Sequence, residues 1–232
     1  MGTGRTHVGY NSSFIVRNLE RYIGMASNSI SQRDSTHQTD KLGLERLIFF
    51  SDAVFAIAIT LLALEIHLPT TDGPISNSQL FKNLLAIWPE YLGYVVSFLV
   101  IGTLWMGHHR KFLLIKHHDR RLLFLNLILL MSIAFIPFST SVISEYGNLT
   151  ATVFYALSIA VAGLFSALVW WYAARNYRLV DNQVKRKVLW QELLRPLSVS
   201  VVFIVSVGLA FINSDLAKYA WILVLPMTFY VL

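Results

Sequence analysis

The sequence contains no cysteine and few charged residues. None of its 232 residues is cysteine, so a disulfide framework, thiolate chemistry and a cysteine-ligated metal site are all excluded. Charged residues make up 14% of the chain, whereas soluble domains carry about 25%. Hydrophobic residues make up 55%, and the mean hydropathy is +0.56. This composition excludes an ordinary soluble domain and indicates an integral membrane protein.

Signatures of enzymes are also missing. The sequence has no Walker phosphate loop, no Gly-x-Ser-x-Gly motif and no pair of intramembrane aspartates. The histidines His108, His109, His117 and His118 suggest a metal site, but each adjacent pair offers one ligand to a common site, and zinc sites use three or four. We therefore predict no metal, no other cofactor and no enzymatic activity. A membrane enzyme with its site in this histidine-rich stretch is one alternative.

Six apolar segments follow a polar stretch of residues 1–43. They cover residues 44–68, 84–106, 122–144, 151–173, 197–213 and 217–232. Most are close to the roughly 20 residues that cross a bilayer core as a helix. Backbone groups in lipid must be satisfied internally, so segments of this length predict helices and not strands. The sequence predicts an all-α integral membrane domain of six transmembrane helices over residues 44–232, preceded by a polar cytoplasmic tail.

The basic residues alternate between the gaps that separate these segments. All of the 19 lysines and arginines except Lys82 and Lys218 lie in the N-terminal part of the chain through Arg46 and in the second and fourth gaps. Loops rich in Lys and Arg face the cytoplasm. We therefore predict a multi-pass protein of the cell membrane with both termini cytoplasmic. The net charge of +6 then belongs to this basic face, and we predict no nucleic-acid partner.

The first apolar segment contains a carboxylate, Asp52, about two turns from its start. An intramembrane acid is costly, and it suggests either a functional role or a structural acid bonded to a neighbouring helix. At about 100° per residue, an apolar stripe with a single hydroxyl forms on a face away from Asp52. This stripe contains Phe50, Ile57, Thr60, Leu61, Leu64 and Leu68. Its spacing alone fits a helix face in contact with lipid or with a protein core.

A partner for Asp52 is expected on the second segment. That segment ends with Trp105 and His108 on the side where the first segment begins, so either N–H group could donate to the Asp52 carboxylate. We favour His108 as the partner. An Asp52–His108 pair also suggests an alternative function, a proton-coupled secondary transporter. The broken helices at matching positions in two halves, which many transporters have, are missing.

Three groups of residues resemble a known family. The first is Arg-x-x-x-Phe-Ser-Asp, formed by Arg46, Phe50, Ser51 and Asp52. The others are Trp105 with His108 and Phe112, and Asn126 with the Phe-Ile-Pro-Phe run at 135–138. Together they resemble the endolysosomal and prokaryotic potassium-leak channel family. Members of that family have six helices per repeat, and its bacterial members assemble as tetramers.

This resemblance implies a function and a set of sites. The first helices of the family line a central pore, with a constriction at the position of Ile57, a selectivity-related hydroxyl at Thr60, and Leu64 on the same face. The resemblance also implies that Arg46, Ser51 and Asp52 tie the first helix to Trp105 and His108. Four apolar stripes around a symmetry axis can form a pore. We predict a homotetrameric, potassium-permeable cation channel whose partners are the lipid bilayer, its own copies and monovalent cations.

Overall fold

The structure is a computed structural model that describes residues 41–69 and 73–221, together with the single residue Arg21. The chain divides into two units, Met1–Gly43 and Leu44–Leu232. Most of the first unit lies outside the described residues. Its assignment as a cytoplasmic tail therefore stays a prediction.

Five helices in the described ranges are long and apolar enough to cross a membrane. They are α1 (Lys41–Leu64), α3 (Trp88–Leu114), α4 (Arg120–Tyr146), α5 (Leu149–Ala174) and α6 (Arg186–Ala210). Two short helices, α2 (Asn77–Ala86) and α7 (Ser214–Trp221), complete the set within these ranges. The prediction of an all-α membrane architecture is confirmed.

The described residues contain five helices of spanning length, one fewer than the six that the sequence predicts. The five long helices correspond to the first five predicted segments, and α2 is an additional short helix before α3. The sixth predicted segment begins within α7, and its residues 222–232 lie outside the described part of the chain. A sixth crossing therefore stays a prediction.

Two helices extend well beyond their apolar segments. Helix α3 continues to Leu114, although its predicted segment ends at 106, and α6 begins at Arg186, although its segment begins at 197. Hydropathy marks only the part of a helix in the hydrocarbon core, whereas the backbone hydrogen bonds continue into the polar interface. The expectation that Lys111 lies in the second gap is therefore wrong, since it lies in α3 together with His108.

Helix α5 packs against α4 and α6 at the centre of the second unit, and small residues allow the close approach. Ala156, Ala160 and Ala162 are all buried. A methyl group added at Gly163 would lie 2.9 Å from the carbonyl oxygen of Pro196 on α6. Small residues at such contacts are typical of membrane helices, because they bring backbones together.

The α3–α4 connection is fastened to the segment that follows α5. The backbone N–H of Lys116 donates to the carbonyl of Leu179 at 2.8 Å. Asp119 is the N-cap of α4. Its carboxylate accepts a hydrogen bond from the Tyr172 hydroxyl at 2.5 Å and forms an ion pair with Arg178 at 3.3 Å. Burial raises the pKa of Asp119, but these partners outweigh it and hold the pKa below its usual value. These contacts join the ends of three long helices.

Candidate functional site

Helix α1 has one packed face and one uncovered face. Phe55, Ala58 and Leu62 are each only 1% exposed and belong to the core. On the other face Ile57 is 57% exposed and Leu64 is 69% exposed. The remaining exposed members of the predicted stripe are Phe50, Thr60, Leu61 and Leu68. Leu68 lies beyond the end of α1 at Leu64, so its predicted place on the helix face is wrong. The other members of the stripe leave much of their side chains uncovered by the described part of the chain.

The Thr60 hydroxyl interrupts this apolar stripe with an oxygen. Its Oγ1 donates to the carbonyl of Ile57, one turn earlier, at 2.9 Å. A hydroxyl that donates its hydrogen in this way keeps its oxygen lone pairs as acceptors. The Thr60 oxygen thus offers a ligand to a cation on the uncovered face.

Asp52 is bonded to α3 through tryptophan. The indole Nε1–H of Trp105 donates to Asp52 Oδ1 at 2.8 Å. His108 does not make the favoured hydrogen bond to Asp52, so that pairing is wrong. Trp105 was the second donor that the sequence suggested.

His108 belongs instead to a chain of hydrogen bonds that joins three helices. Its Nε2 lies 2.9 Å from Oδ1 of Asn126 on α4, and Asn126 Nδ2 donates to Ser51 Oγ at 2.9 Å. The Ser51 hydroxyl in turn donates to the carbonyl of Leu47 at 2.8 Å. Since the Asn126 amide nitrogen is committed to Ser51, its oxygen must accept, and Nε2 of His108 must carry the hydrogen. The direction of donation along the chain is therefore fixed, from His108 to Asn126, from Asn126 to Ser51 and from Ser51 to the Leu47 carbonyl.

The chain is enclosed in apolar and aromatic surroundings. Ser51 and Asn126 are fully buried and His108 is 2% exposed. The His108 ring stacks on Phe112 with centroids 4.2 Å apart and tilts against Phe55 at 5.4 Å. Hydrogen bonds in such surroundings are strengthened by the low local dielectric. The polar chain and the Asp52–Trp105 bond therefore hold the packed face of α1 in one orientation.

Two residues of the first motif lie outside this network. Arg46 is exposed and makes no hydrogen bond or ion pair with the described residues, and Phe50 is 52% exposed. The sequence did not identify Asn126 as the bridge, although it belongs to the third recognised group. An intramembrane asparagine between apolar residues was the available signal, because such an amide needs partners.

A second buried polar cluster lies one turn further along α3. Lys111 is 2% exposed, and its Nζ donates to Ser166 Oγ at 2.8 Å. Glu192 on α6, 4% exposed, pairs with Arg110 at 3.4 Å and also with Arg195. The sequence analysis had counted Lys111 and Arg110 among the basic residues of the second gap between segments. Ser166 on α5 accepts hydrogen bonds from the buried Lys111, and Glu192 on α6 pairs with the half-buried Arg110. A charged group inside a protein needs such hydrogen bonds or an opposite charge.

Five apolar helices held together by buried polar side chains define a polytopic helical membrane protein. The family described as endosomal/lysosomal potassium channel TMEM175 matches residues 46–137. A potassium channel of Streptomyces collinus is 41% identical over 181 residues, which are 75% of this chain and 86% of that protein. The chain belongs to the TMEM175 family. It is a family of ion channels and not of enzymes.

Further relatives agree with this assignment. A potassium channel of Chamaesiphon minutus is 38% identical over 61% of this chain and 71% of that protein. The crystal structure of a lysosomal potassium-selective TMEM175 homologue from Chamaesiphon minutus superimposes with a TM-score of 0.72 at 29% identity, over 82% of this chain and 98% of that one. A human relative, 29% identical over 61% of this chain and 28% of its own length, is named an endosomal/lysosomal proton channel.

Proposed function

We propose that the protein is a potassium-permeable cation channel whose pore is lined by α1 from four copies of the chain. The uncovered stripe of α1 carries this proposal, because large aliphatic side chains lie exposed on a helix whose opposite face is packed and hydrogen-bonded. Potassium is the proposed permeant ion because the bacterial relatives are named potassium channels. Closed fourfold symmetry brings four such stripes to one axis.

Ile57 is the proposed constriction. Four isoleucine side chains around an axis form an apolar ring that opposes the passage of water and hydrated ions. The Thr60 hydroxyls lie one turn further along the same face and offer oxygen ligands. Leu61 and Leu64 continue the lining. No cofactor is required for such conduction.

The proposed placement is in the cell membrane with both termini in the cytoplasm. The basic residues at the ends of α3 and α5, among them Lys116, Arg120 and Arg175, lie at the same end of the spanning helices. Loops rich in Lys and Arg stay on the cytoplasmic side.

The transporter alternative receives less support from the contacts. A relay between Asp52 and His108 needs a hydrogen-bonded path for the proton, but the two side chains bond to Trp105 and Asn126 respectively. The indole N–H of Trp105 is a donor only and does not shuttle protons. Proton permeation beside potassium is the second candidate, since the human relative is named a proton channel.

Flux from proteoliposomes under a potassium gradient tests the proposal. The wild-type protein should pass potassium without saturation, and Ile57→Ala should raise the flux because it widens the apolar ring. Ile204→Ala is a matched control, since Ile204 is similarly exposed but lies on α6. Replacing the potassium gradient by a proton gradient measures the second candidate in the same vesicles.

Three outcomes would overturn parts of the proposal. Equal flux through wild type and Ile57→Ala, both verified as assembled, would remove Ile57 from the pore. Saturable flux that requires a proton gradient would favour a transporter. Cross-linking or native mass spectrometry that finds a stoichiometry other than four would refute the tetramer.

A further inference from the structure

A groove lies beside the junction of α5 and α6. Its volume is about 500 Å³, and it opens between the last turn of α5, the 3₁₀ turn Arg175–Tyr177 and the first turns of α6. The residues that give it its chemistry are Trp171, Arg175, Asn176, Tyr177, Arg186 and Trp190. Among the described residues that line it, none is acidic. The groove therefore combines aromatic walls with positive charge.

The two arginines are available to a ligand. Arg175 and Arg186 are both exposed, and neither forms an ion pair within the part of the chain that the structure describes. The Arg175 guanidinium lies over the Trp171 ring, 5.1 Å from its centroid. This contact orients the guanidinium, while its N–H groups stay free to bind phosphate oxygens in pairs.

The walls of the groove have the character of a membrane interface. Trp171 and Trp190 are 45% and 53% exposed at the ends of two spanning helices. Amphipathic indole rings concentrate at headgroup depth. The indole N–H of Trp170 donates to the carbonyl of Leu189 at 2.9 Å and fixes α5 against α6. The apolar side chains of Leu189 and Leu193 line the groove as well.

The 3₁₀ turn beside the groove contains two residues in an unfavourable backbone conformation. Asn176 and Tyr177 have φ angles of 54° and 53°, in the left-handed region that L-residues avoid. Both residues line the groove. Strained residues persist where the surrounding structure holds them, and they cluster at ligand sites.

We propose that this groove binds the headgroup of an anionic phospholipid. Arg175 and Arg186 pair with the phosphate, the indoles of Trp171 and Trp190 lie at the glycerol level, and Leu189 and Leu193 contact the acyl chains. The proposal does not depend on ion conduction. A lipid fits better than a free phosphate ion because the charged groups lie next to apolar and aromatic surfaces at the end of the bundle.

Thermal stability in detergent and native mass spectrometry provide the test. Purified protein is titrated with phosphatidylglycerol, with phosphatidylcholine of the same acyl chains, and with inorganic phosphate. Phosphatidylglycerol should raise the melting temperature and remain bound in the spectrometer more than phosphatidylcholine does. The double variant Arg175→Gln/Arg186→Gln should bind phosphatidylglycerol roughly tenfold more weakly or worse, since each interfacial arginine attracts anionic lipid.

Lys187→Gln is the matched control. Lys187 is exposed and adjacent to Arg186 but does not line the groove, so this variant should keep the wild-type affinity. Both arginines are exposed, and their replacement should leave the protein folded; the single variant Arg186→Gln provides a milder reduction. Equal binding of the two lipids, an unchanged affinity in the double variant, or an equal loss in Lys187→Gln would overturn the proposal. A full stabilisation by inorganic phosphate alone would refute the lipid as ligand.

Discussion

Asn126→Leu removes the bridge that joins α1, α3 and α4 while keeping a side chain of similar size. The wild-type amide accepts from His108 and donates to Ser51, and all three side chains are buried. In the variant, the Nε2–H of His108 and the Oγ of Ser51 each lose a partner. The Ser51 hydroxyl still donates to the carbonyl of Leu47. Most of the free-energy cost therefore comes from the unpaired Nε2–H of His108.

The expected destabilisation is about 2–3 kcal/mol. Interhelical hydrogen bonds in membranes average about 0.6 kcal/mol and reach about 1.7, so the two bonds contribute about 1–2 kcal/mol. A buried donor without a partner costs a further ~1–3 kcal/mol. Leucine contributes favourable packing that offsets part of this cost. Because the bridge joins α1 to α3 and α4, its loss should also loosen the orientation of α1. Conduction should then fall together with stability.

A double-mutant cycle isolates the bond between Ser51 and Asn126. The free energy of unfolding is measured in mixed micelles for wild type, Ser51→Ala, Asn126→Leu and the double variant, and the coupling should be about 1 kcal/mol. The control cycle pairs Asn126→Leu with Ser158→Ala, because the Ser158 hydroxyl donates to the Phe154 carbonyl within α5 and has no other partner among the described residues. Its coupling should be near zero.

Additive effects of Ser51→Ala and Asn126→Leu, within about 0.3 kcal/mol, would contradict the hydrogen-bond chain. An equal coupling in the Ser158 cycle would show that the loss is general and not specific to the bridge.

Other substitutions test the packing and the helix ends. Gly163→Ala should cost about 1–3 kcal/mol by overpacking against the Pro196 carbonyl, whereas Gly102→Ala, with no atom within 4 Å of the added group, should leave the unfolding midpoint nearly unchanged; equal midpoints would refute the close contact. Asp119→Asn keeps the N-cap but loses the charge that pairs with Arg178. Because the folded pKa of Asp119 lies below its usual value, its stabilisation is present above pH ~4 and is lost as the pH falls through the lowered pKa. The melting temperatures of wild type and Asp119→Asn should therefore differ at neutral pH and converge in acid; a constant difference would contradict this role.

The sequence by itself determined the class of protein and the main helices. Long apolar runs in a chain with 14% charged residues must form helices in lipid, because no water is present to satisfy the backbone. Helical periodicity also placed Ile57, Thr60 and Leu64 together on α1, and the structure leaves that stripe uncovered. These properties depend on local spacing and transfer free energies, which a single chain segment already contains.

Only the tertiary structure decided the partners of the buried polar groups. Trp105 and His108 lie three residues apart on α3, so spacing alone allowed either to reach Asp52. Asn126 on α4 bonds to His108, and Trp105 bonds to Asp52. The burial of Lys111 likewise depends on Ser166 on α5, which is remote in sequence. Hydrogen bonds between helices depend on packing distances and rotations that no local pattern encodes, and for this reason the helices follow from the sequence and their pairing does not.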